Sequence, residues 1–72
     1  MNIKEFKRKV GLNIKSARVK KDFKQVDLAD FTQLARGSIG KIERGQQNFT
    51  IETLFAIAEV LGVEPKSLLN ID

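Results

Sequence analysis

Apolar residues between positions 25 and 45 recur with a helical period in two short runs. In the first run, Leu28 and Ala29 give an apolar face one turn long, and Phe31 extends it. In the second run, Ile39 and Ile42 are three positions apart, which places their side chains on one face of a helix. Gly45 follows, and glycine suits the left-handed cap that ends many helices. The pattern predicts two short helices with a tight joint between them, a helix-turn-helix arrangement.

The segment before this pair is predicted to be one longer helix, from residues 2–3 to about residue 21. Its apolar residues are spaced three or four positions apart: Ile3, Phe6, Val10, Ile14 and Ala17. Gly11 interrupts this run, so we expect residues 1–9 to be an N-terminal helical extension that frays. Phe23 lies in the following turn and is predicted to fill part of the core.

Two further helices are predicted after the pair. Thr50 is a suitable N-cap for a helix over Ile51–Leu61, which Gly62 would end. Pro65 suits the first position of a last, short helix that ends near residue 70. The expected fold class is therefore all-α, with five helices in one compact domain of residues 1–72. A core of this size is marginal, so tight helix packing or dimerisation is the expected supplement.

The two short helices have weak ends and interiors. Lys24 precedes the first of them and cannot accept hydrogen bonds from the free backbone N–H groups, a loss of about 1 kcal/mol. The second begins near residues 35–36, again without Ser or Thr. Gly37 and Gly40 lie inside it, each costing about 1 kcal/mol relative to Ala. Two glycines on its outer face would allow close approach to a surface. For Gly40, however, a tight contact between helices is the favoured interpretation, and the outer face is the alternative.

Charge is distributed unevenly along the chain. Residues 1–24 carry nine basic and two acidic residues, a net charge of +7, whereas residues 25–72 carry four basic and seven acidic ones, a net charge of −3. Such polarity orients a small domain in an electrostatic field, and nucleic acid is the obvious polyanion. A solvated, lysine-rich helix is the alternative explanation.

The composition argues against several classes of function. The chain has no cysteine and no histidine, so metal sites and most acid–base catalysis lack their usual residues. Neither a metal, a cofactor nor an enzymatic activity is expected. No apolar run approaches the roughly 20 residues of a membrane span, and the basic start lacks the apolar segment of a signal peptide. These features suit the cytoplasm.

Several motifs, in one order, resemble those of a known family. They are Arg18, the Q-x-x-L-A of Gln25–Ala29, the I-x-K-I-E-R-G of Ile39–Gly45 and the T-I-E-T-L with L-G-V of Thr50–Val63. Through these motifs, the chain resembles the lambda-repressor-like, or XRE-type, helix-turn-helix regulators of bacteria and phages. The resemblance extends from about Val10 to Leu69. Chain length and the N-x-T-I-x-x-L of residues 48–54 look most like the controller proteins of restriction–modification systems.

This resemblance implies a sequence-specific regulator of transcription that binds double-stranded DNA. The outer face of the second short helix would contact bases, because Arg and Lys pair with guanine and Ser can donate or accept; its residues are Arg36, Gly37, Ser38 and Lys41. Residues that would contact backbone phosphates are Gln25, Lys15, Arg44, Gln46, Gln47 and Asn48. The alternative is that these residues are merely solvated.

The resemblance also implies a partly buried ion pair between Arg18 and Glu43, which would tie the first helix to the recognition helix. Direct DNA contact by these two residues is the alternative. Asp27 and Asp30 lie on a helix that flanks the DNA, and relatives that activate transcription use acidic residues there to contact RNA polymerase. Repressor and activator functions are both compatible with these features.

Apolar residues of the fourth helix exceed what the core of a monomer would use. The predicted homodimer interface contains Ile51, Phe55, Ala56, Val60 and Ile71; burial within the monomer is the alternative. A dimer would place two recognition helices about one DNA turn apart and implies a palindromic operator. The alternative function is that of a protein-interaction module or antitoxin that has kept the helix-turn-helix fold. The basic first helix and the Arg36/Lys41 face favour the regulator.

Overall fold

Five helices joined by short turns make up residues 1–71, the part of the chain that the computed structural model describes. They are α1 (Ile3–Lys20), α2 (Gln25–Thr32), α3 (Arg36–Glu43), α4 (Ile51–Leu61) and α5 (Pro65–Leu68). The predicted all-α, five-helix fold is confirmed. Among these residues, no helix is both long and apolar enough to span a membrane.

One apolar core lies between the helices, and every helix contributes to it. The side chains buried in it are Val10, Ile14, Leu28, Ala29, Ile39, Ile42, Leu54, Ile57, Ala58, Leu61 and Leu68. Ile39 and Ile42 are both fully buried, as the spacing in the short helix predicts. The burial of α3 through these two residues compensates for its poor intrinsic helix propensity, because most helical stability in proteins comes from packing of an apolar face.

Helix α1 continues without a break through Gly11. Its N-terminus is capped by Asn2, whose Oδ1 accepts a hydrogen bond from the backbone N–H of Glu5 (2.8 Å). A Cβ built on Gly11 would overlap the carbonyl oxygen of Glu43 and would lie 2.5 Å from that of Ile42. Gly11 therefore permits the close crossing of α1 and the end of α3, and it does not interrupt α1 as the sequence pattern suggested.

The first turn of α2 has a partial cap that sequence reasoning missed. The backbone N–H of Lys24 donates to Oδ2 of Asp27 (2.9 Å), three residues further on. Lys24 supplies no side-chain acceptor, as expected, so only the reciprocal half of a capping box is formed. At α3, Ala35 likewise makes no side-chain cap. Helix α4 is capped by Thr50, whose Oγ1 accepts from the backbone N–H of Thr53 (3.1 Å).

The joint between α2 and α3 is a three-residue turn, residues 33–35. Gln33 has a left-handed backbone (φ 60°), and the N–H of Leu34 donates to the carbonyl oxygen of Ala29 (3.0 Å). This tight turn sets the direction in which α3 leaves α2. The short pair of helices predicted from the apolar pattern is thus a helix-turn-helix in the structure.

Candidate nucleic-acid interface

The outward face of α3 is cationic. Arg36, Gly37 and Lys41 are exposed, Ser38 is half-buried, and the opposite face carries the fully buried Ile39. No atom lies within 4 Å of a Cβ built on Gly37, so the surface at this position is open. The residues predicted to contact bases are therefore brought to one side of a short helix that the core holds from behind.

Gly40 does not belong to this outer face, in agreement with the favoured interpretation that it makes a tight contact within the protein. It is buried, and a Cβ built on it would lie 3.1 Å from Nη1 of Arg44 and 3.2 Å from Oε1 of Gln25. The close contact that Gly40 permits is therefore within the protein. The absence of a side chain makes room for two polar side chains that fold over this part of α3.

A buried ion pair joins α1 to α3. The Nε and Nη2 of Arg18 donate to the two carboxylate oxygens of Glu43, at 2.7 and 3.1 Å, and both residues are buried. Nη1 of Arg18 also donates to the carbonyl oxygen of Phe23 (2.8 Å). Two parallel bonds between a guanidinium and a carboxylate fix geometry as well as charge. The position of α3 relative to α1 is therefore set by a directional contact.

Gln25 connects helix α2 to the ion pair between α1 and α3. Its Nε2 donates to Oε1 of Glu43 (2.9 Å), while its own Oε1 faces Gly40. The Glu43 carboxylate thus accepts bonds from α1 and α2 and is itself carried by α3. The sequence suggested a phosphate contact for Gln25; in the structure, its amide braces the helix-turn-helix from an exposed position.

The loop after α3 turns sharply and lies against α1. Gly45 has a left-handed backbone (φ 73°), and a Cβ on it would be 2.9 Å from the Cα of Arg8. Nε of Arg44 donates to Oε1 of Gln46 (3.1 Å), so these two side chains lie together on the loop. Close approach to α1 and a left-handed backbone both require glycine at position 45.

The rest of the loop is also bound to α1. Nζ of Lys7 donates to Oδ1 of Asn48 (3.0 Å), a bond that sequence reasoning missed because the two residues are 41 positions apart. Gln47 is half-buried, whereas Asn48 is exposed. Lys15 is exposed on α1, one helical turn from both Gly11 and Arg18. It therefore flanks the side of α1 that contacts α3.

The outer side of α2 is acidic and aromatic. Asp30 is exposed, and Asp27 is half-buried because its carboxylate caps the helix. Phe31 was expected to extend the apolar face of α2, but it is 62% exposed. Its ring stacks on that of Phe23, with centroids 5.5 Å apart, and Phe23 in turn packs against the core.

The apolar residues assigned to a dimer interface fall into two groups. Ile51 and Phe55 are 83% and 54% exposed, and they are one turn apart on α4. Ala56, Val60 and Ile71 are half-buried. Val60 and Ile71 pack against the monomer core, so only part of their surface remains for another contact.

A family model and two curated relatives relate this chain to proteins that regulate gene expression. The HTH_3 family model, described as helix-turn-helix, matches residues 14–68. The chain is 35% identical over 61 residues to the immunity repressor protein of Bacillus phage phi105, a match that covers 85% of this chain and only 42% of that repressor. It is 35% identical over 70 residues to the control protein C.SmaI of Serratia marcescens, covering 97% of this chain and 80% of that protein.

A solved structure agrees with these sequence matches. The restriction–modification controller protein C.AhdI of Aeromonas hydrophila superposes with a TM-score of 0.81 and 33% identity, over 85% of this chain and 92% of that one. The resemblance to lambda-repressor-like regulators and to controller proteins is confirmed. The chain belongs to the HTH_3 helix-turn-helix family, a family of DNA-binding transcription regulators.

Proposed function

We propose that this protein is a cytoplasmic homodimer that binds a palindromic operator and regulates restriction–modification genes. The observation that carries the proposal is the exposed Arg36–Lys41 face of α3, whose opposite side is fixed by the core and by the Glu43 network. Because the core and the Glu43 network hold α3 in one orientation, its few exposed side chains can be presented to base edges in a defined geometry.

Base readout is assigned to the outer face of α3. Arg36 and Lys41 carry the charges that pair with O6 and N7 of guanine, and each good pair is worth about 1–3 kcal/mol of discrimination. Ser38 is half-buried, so its hydroxyl reaches a base only from close range. The open surface at Gly37 supports such an approach, because no side chain there would keep α3 away from the major groove of DNA.

Backbone contacts are assigned to residues that surround this face. Arg44 and Gln46 lie together at the end of α3, and Gln25 lies beside Gly40 at the start of α2. Asn48 uses its carbonyl oxygen for Lys7, which leaves the amide N–H2 as the part that can donate to a phosphate. Gln47 and Lys15 complete the set. Such contacts position a protein on DNA and do not read the sequence.

Dimerisation is assigned to the exposed apolar residues of α4. Ile51 and Phe55 would lose the most water-exposed apolar surface on association, with the half-buried Ala56, Val60 and Ile71 around them. Two-fold symmetry would then place two copies of α3 about one turn of DNA apart, matched to a palindromic site.

A role in activation would use the outer side of α2. Asp30 is the exposed acid there, whereas the carboxylate of Asp27 is already engaged with the backbone of Lys24. We therefore assign a contact with RNA polymerase to Asp30 first and to Asp27 second. Charge reversal at Asp30 that left activation of the operator's promoter unchanged would remove this assignment.

The test is a selection from random duplexes with the native protein, followed by the binding stoichiometry on the enriched sequence. We expect a palindrome that binds two chains. Enrichment of no sequence would contradict the proposal and would instead favour the interaction module, for which the α4 surface would be the place to look for a protein partner.

A further inference from the structure

We propose that the first two turns of α1 and the loop after α3 form a second phosphate-binding groove, which extends DNA contact beyond the recognition helix. The proposal rests on the proposed function and assigns a further part of the same interface. The groove has a volume of about 350 Å³ and is lined by Lys4 and Arg8 on one side and by Arg44 and Gln46 on the other.

Two close contacts keep this groove in shape. Gly45 lies so near the backbone of Arg8 that an added Cβ would be 2.9 Å from its Cα. One turn further along α1, Gly11 lies against the backbone at the end of α3. Because both contacts are between backbones, the start of α1 cannot move independently of α3. The groove is thus a fixed extension of the helix-turn-helix.

A third link orders the far end of the loop. Lys7 donates to Oδ1 of Asn48, which fixes the amide of Asn48 and leaves its N–H2 as the group that can donate. Lys7 is therefore a positioning residue, since its charge serves to orient a donor on the loop. The same loop carries Arg44 and Gln46, so the groove and the proposed backbone contacts share one segment.

The net positive charge of the groove would attract an anion. Lys4 and Arg8 are four residues apart and share one face of α1, and Arg44 borders the groove from the loop side. Glu5 also borders the groove, and it lies 3.9 Å from Nζ of Lys9 as its own counter-charge. Three cations and one carboxylate leave a net positive site. Close like charges repel one another, and an anion between them removes the repulsion.

The position of the groove selects a DNA phosphate as that anion. Arg44 is three residues beyond Lys41, about 4.5 Å along the axis of a helix. The groove thus adjoins the end of the helix that carries the proposed base contacts, where the nearest source of anions on bound DNA is its phosphate backbone. A free inorganic anion would meet the same charges, and phosphate ethylation on the operator distinguishes the two sources.

The test compares salt dependence on the selected operator for the native chain and the Lys4→Gln/Arg8→Gln variant. The matched control, Lys20→Gln/Lys66→Gln, removes the same charge from α1 and α5 at residues outside the groove. All four side chains are exposed, so the fold should be retained. Each lost phosphate contact flattens the slope of log K against log salt by about 0.9.

We expect the groove variant to have a slope flatter than the control by about 1.8 per protomer, with an unchanged preference for the operator over a shuffled duplex. Ethylation of phosphates flanking each half-site should interfere with binding of the native chain and not of the variant. Equal slopes for groove variant and control would overturn the inference while leaving the regulator intact. Loss of operator preference in the native chain itself would overturn both.

Discussion

Gly11 of α1 lies directly against the backbone carbonyl of Glu43, where any side chain on residue 11 would overlap the oxygen. Two turns later, Arg18 of the same helix binds the carboxylate of Glu43 through two hydrogen bonds. One residue at the end of the recognition helix is thus held by α1 through both its backbone and its side chain. The orientation of α3 is determined by α1 as much as by α2.

Replacing Gly11 with Ala should destabilise the protein severely. The new methyl group would meet backbone atoms that cannot move aside alone, so α1 and α3 would have to separate. We expect a loss of about 1–3 kcal/mol, the usual range for overpacking, or more. Urea unfolding measures it. Gly37→Ala is the matched control: it has open space around it and should stabilise by up to about 1 kcal/mol through helix propensity.

Removing Glu43 should be costly because it leaves a buried charge without a partner. Glu43→Ala would strand Arg18, which is buried, and would also release the amide of Gln25. Loss of one partner of a buried pair costs about 3–5 kcal/mol. The double variant Arg18→Met/Glu43→Met should lose less free energy of unfolding than the sum of the losses in Arg18→Met and Glu43→Met. Additive losses in free energy of unfolding would show that the two residues do not act as a pair.

Gly40→Ala should separate DNA affinity from stability. The added Cβ would touch the ends of two flexible side chains, those of Arg44 and Gln25, which can swing away. The gain in helix propensity is about 1 kcal/mol and would offset the repacking. We expect little change in unfolding free energy and weaker operator binding, because both displaced side chains are assigned to phosphate contacts. Unchanged affinity would argue that neither contacts the DNA.

Phe55→Lys should weaken dimerisation while leaving the monomer folded. Phe55 is 54% exposed, so the monomer core depends on it little. A charge at the centre of an apolar interface must be desolvated on association, and we expect the dimer dissociation constant to rise at least about tenfold. Sedimentation equilibrium measures it. Val19→Lys, at a comparably exposed apolar residue of α1, is the control; equal weakening by both would refute the α4 interface.

Sequence patterning predicts most of the fold because the relevant signals are local. Ile39 and Ile42 define α3 by their spacing, and Thr50 and Gly62 mark the ends of α4 as its caps in the structure. Phe31 shows the limit of this reasoning. In a helix of eight residues, the apolar stripe is too short to show which side of it faces the core. The stacking partner that covers Phe31, Phe23, lies outside the helix.

The parts of the site that could not be predicted depend on contacts between distant residues. Local rules treat Gly11 as a weak point in a helix, whereas it makes room for the backbone of α3. A tight contact at Gly40 is favoured from the sequence, but its partners, the side chains of Gln25 and Arg44, are not. The bond between Lys7 and Asn48 spans 41 positions, and no local pattern indicates it. The groove at the start of α1 follows from these contacts.

The measurement that tests the central claim most directly is a gel-shift titration of the selected operator and a shuffled duplex in moderate salt. It compares the native chain with Arg36→Ala/Lys41→Ala and with Lys20→Ala/Lys66→Ala, which removes the same charge elsewhere. We predict that the native chain and the control prefer the operator and that the α3 variant binds both duplexes equally and weakly. Retained preference in the α3 variant would contradict base readout by this helix.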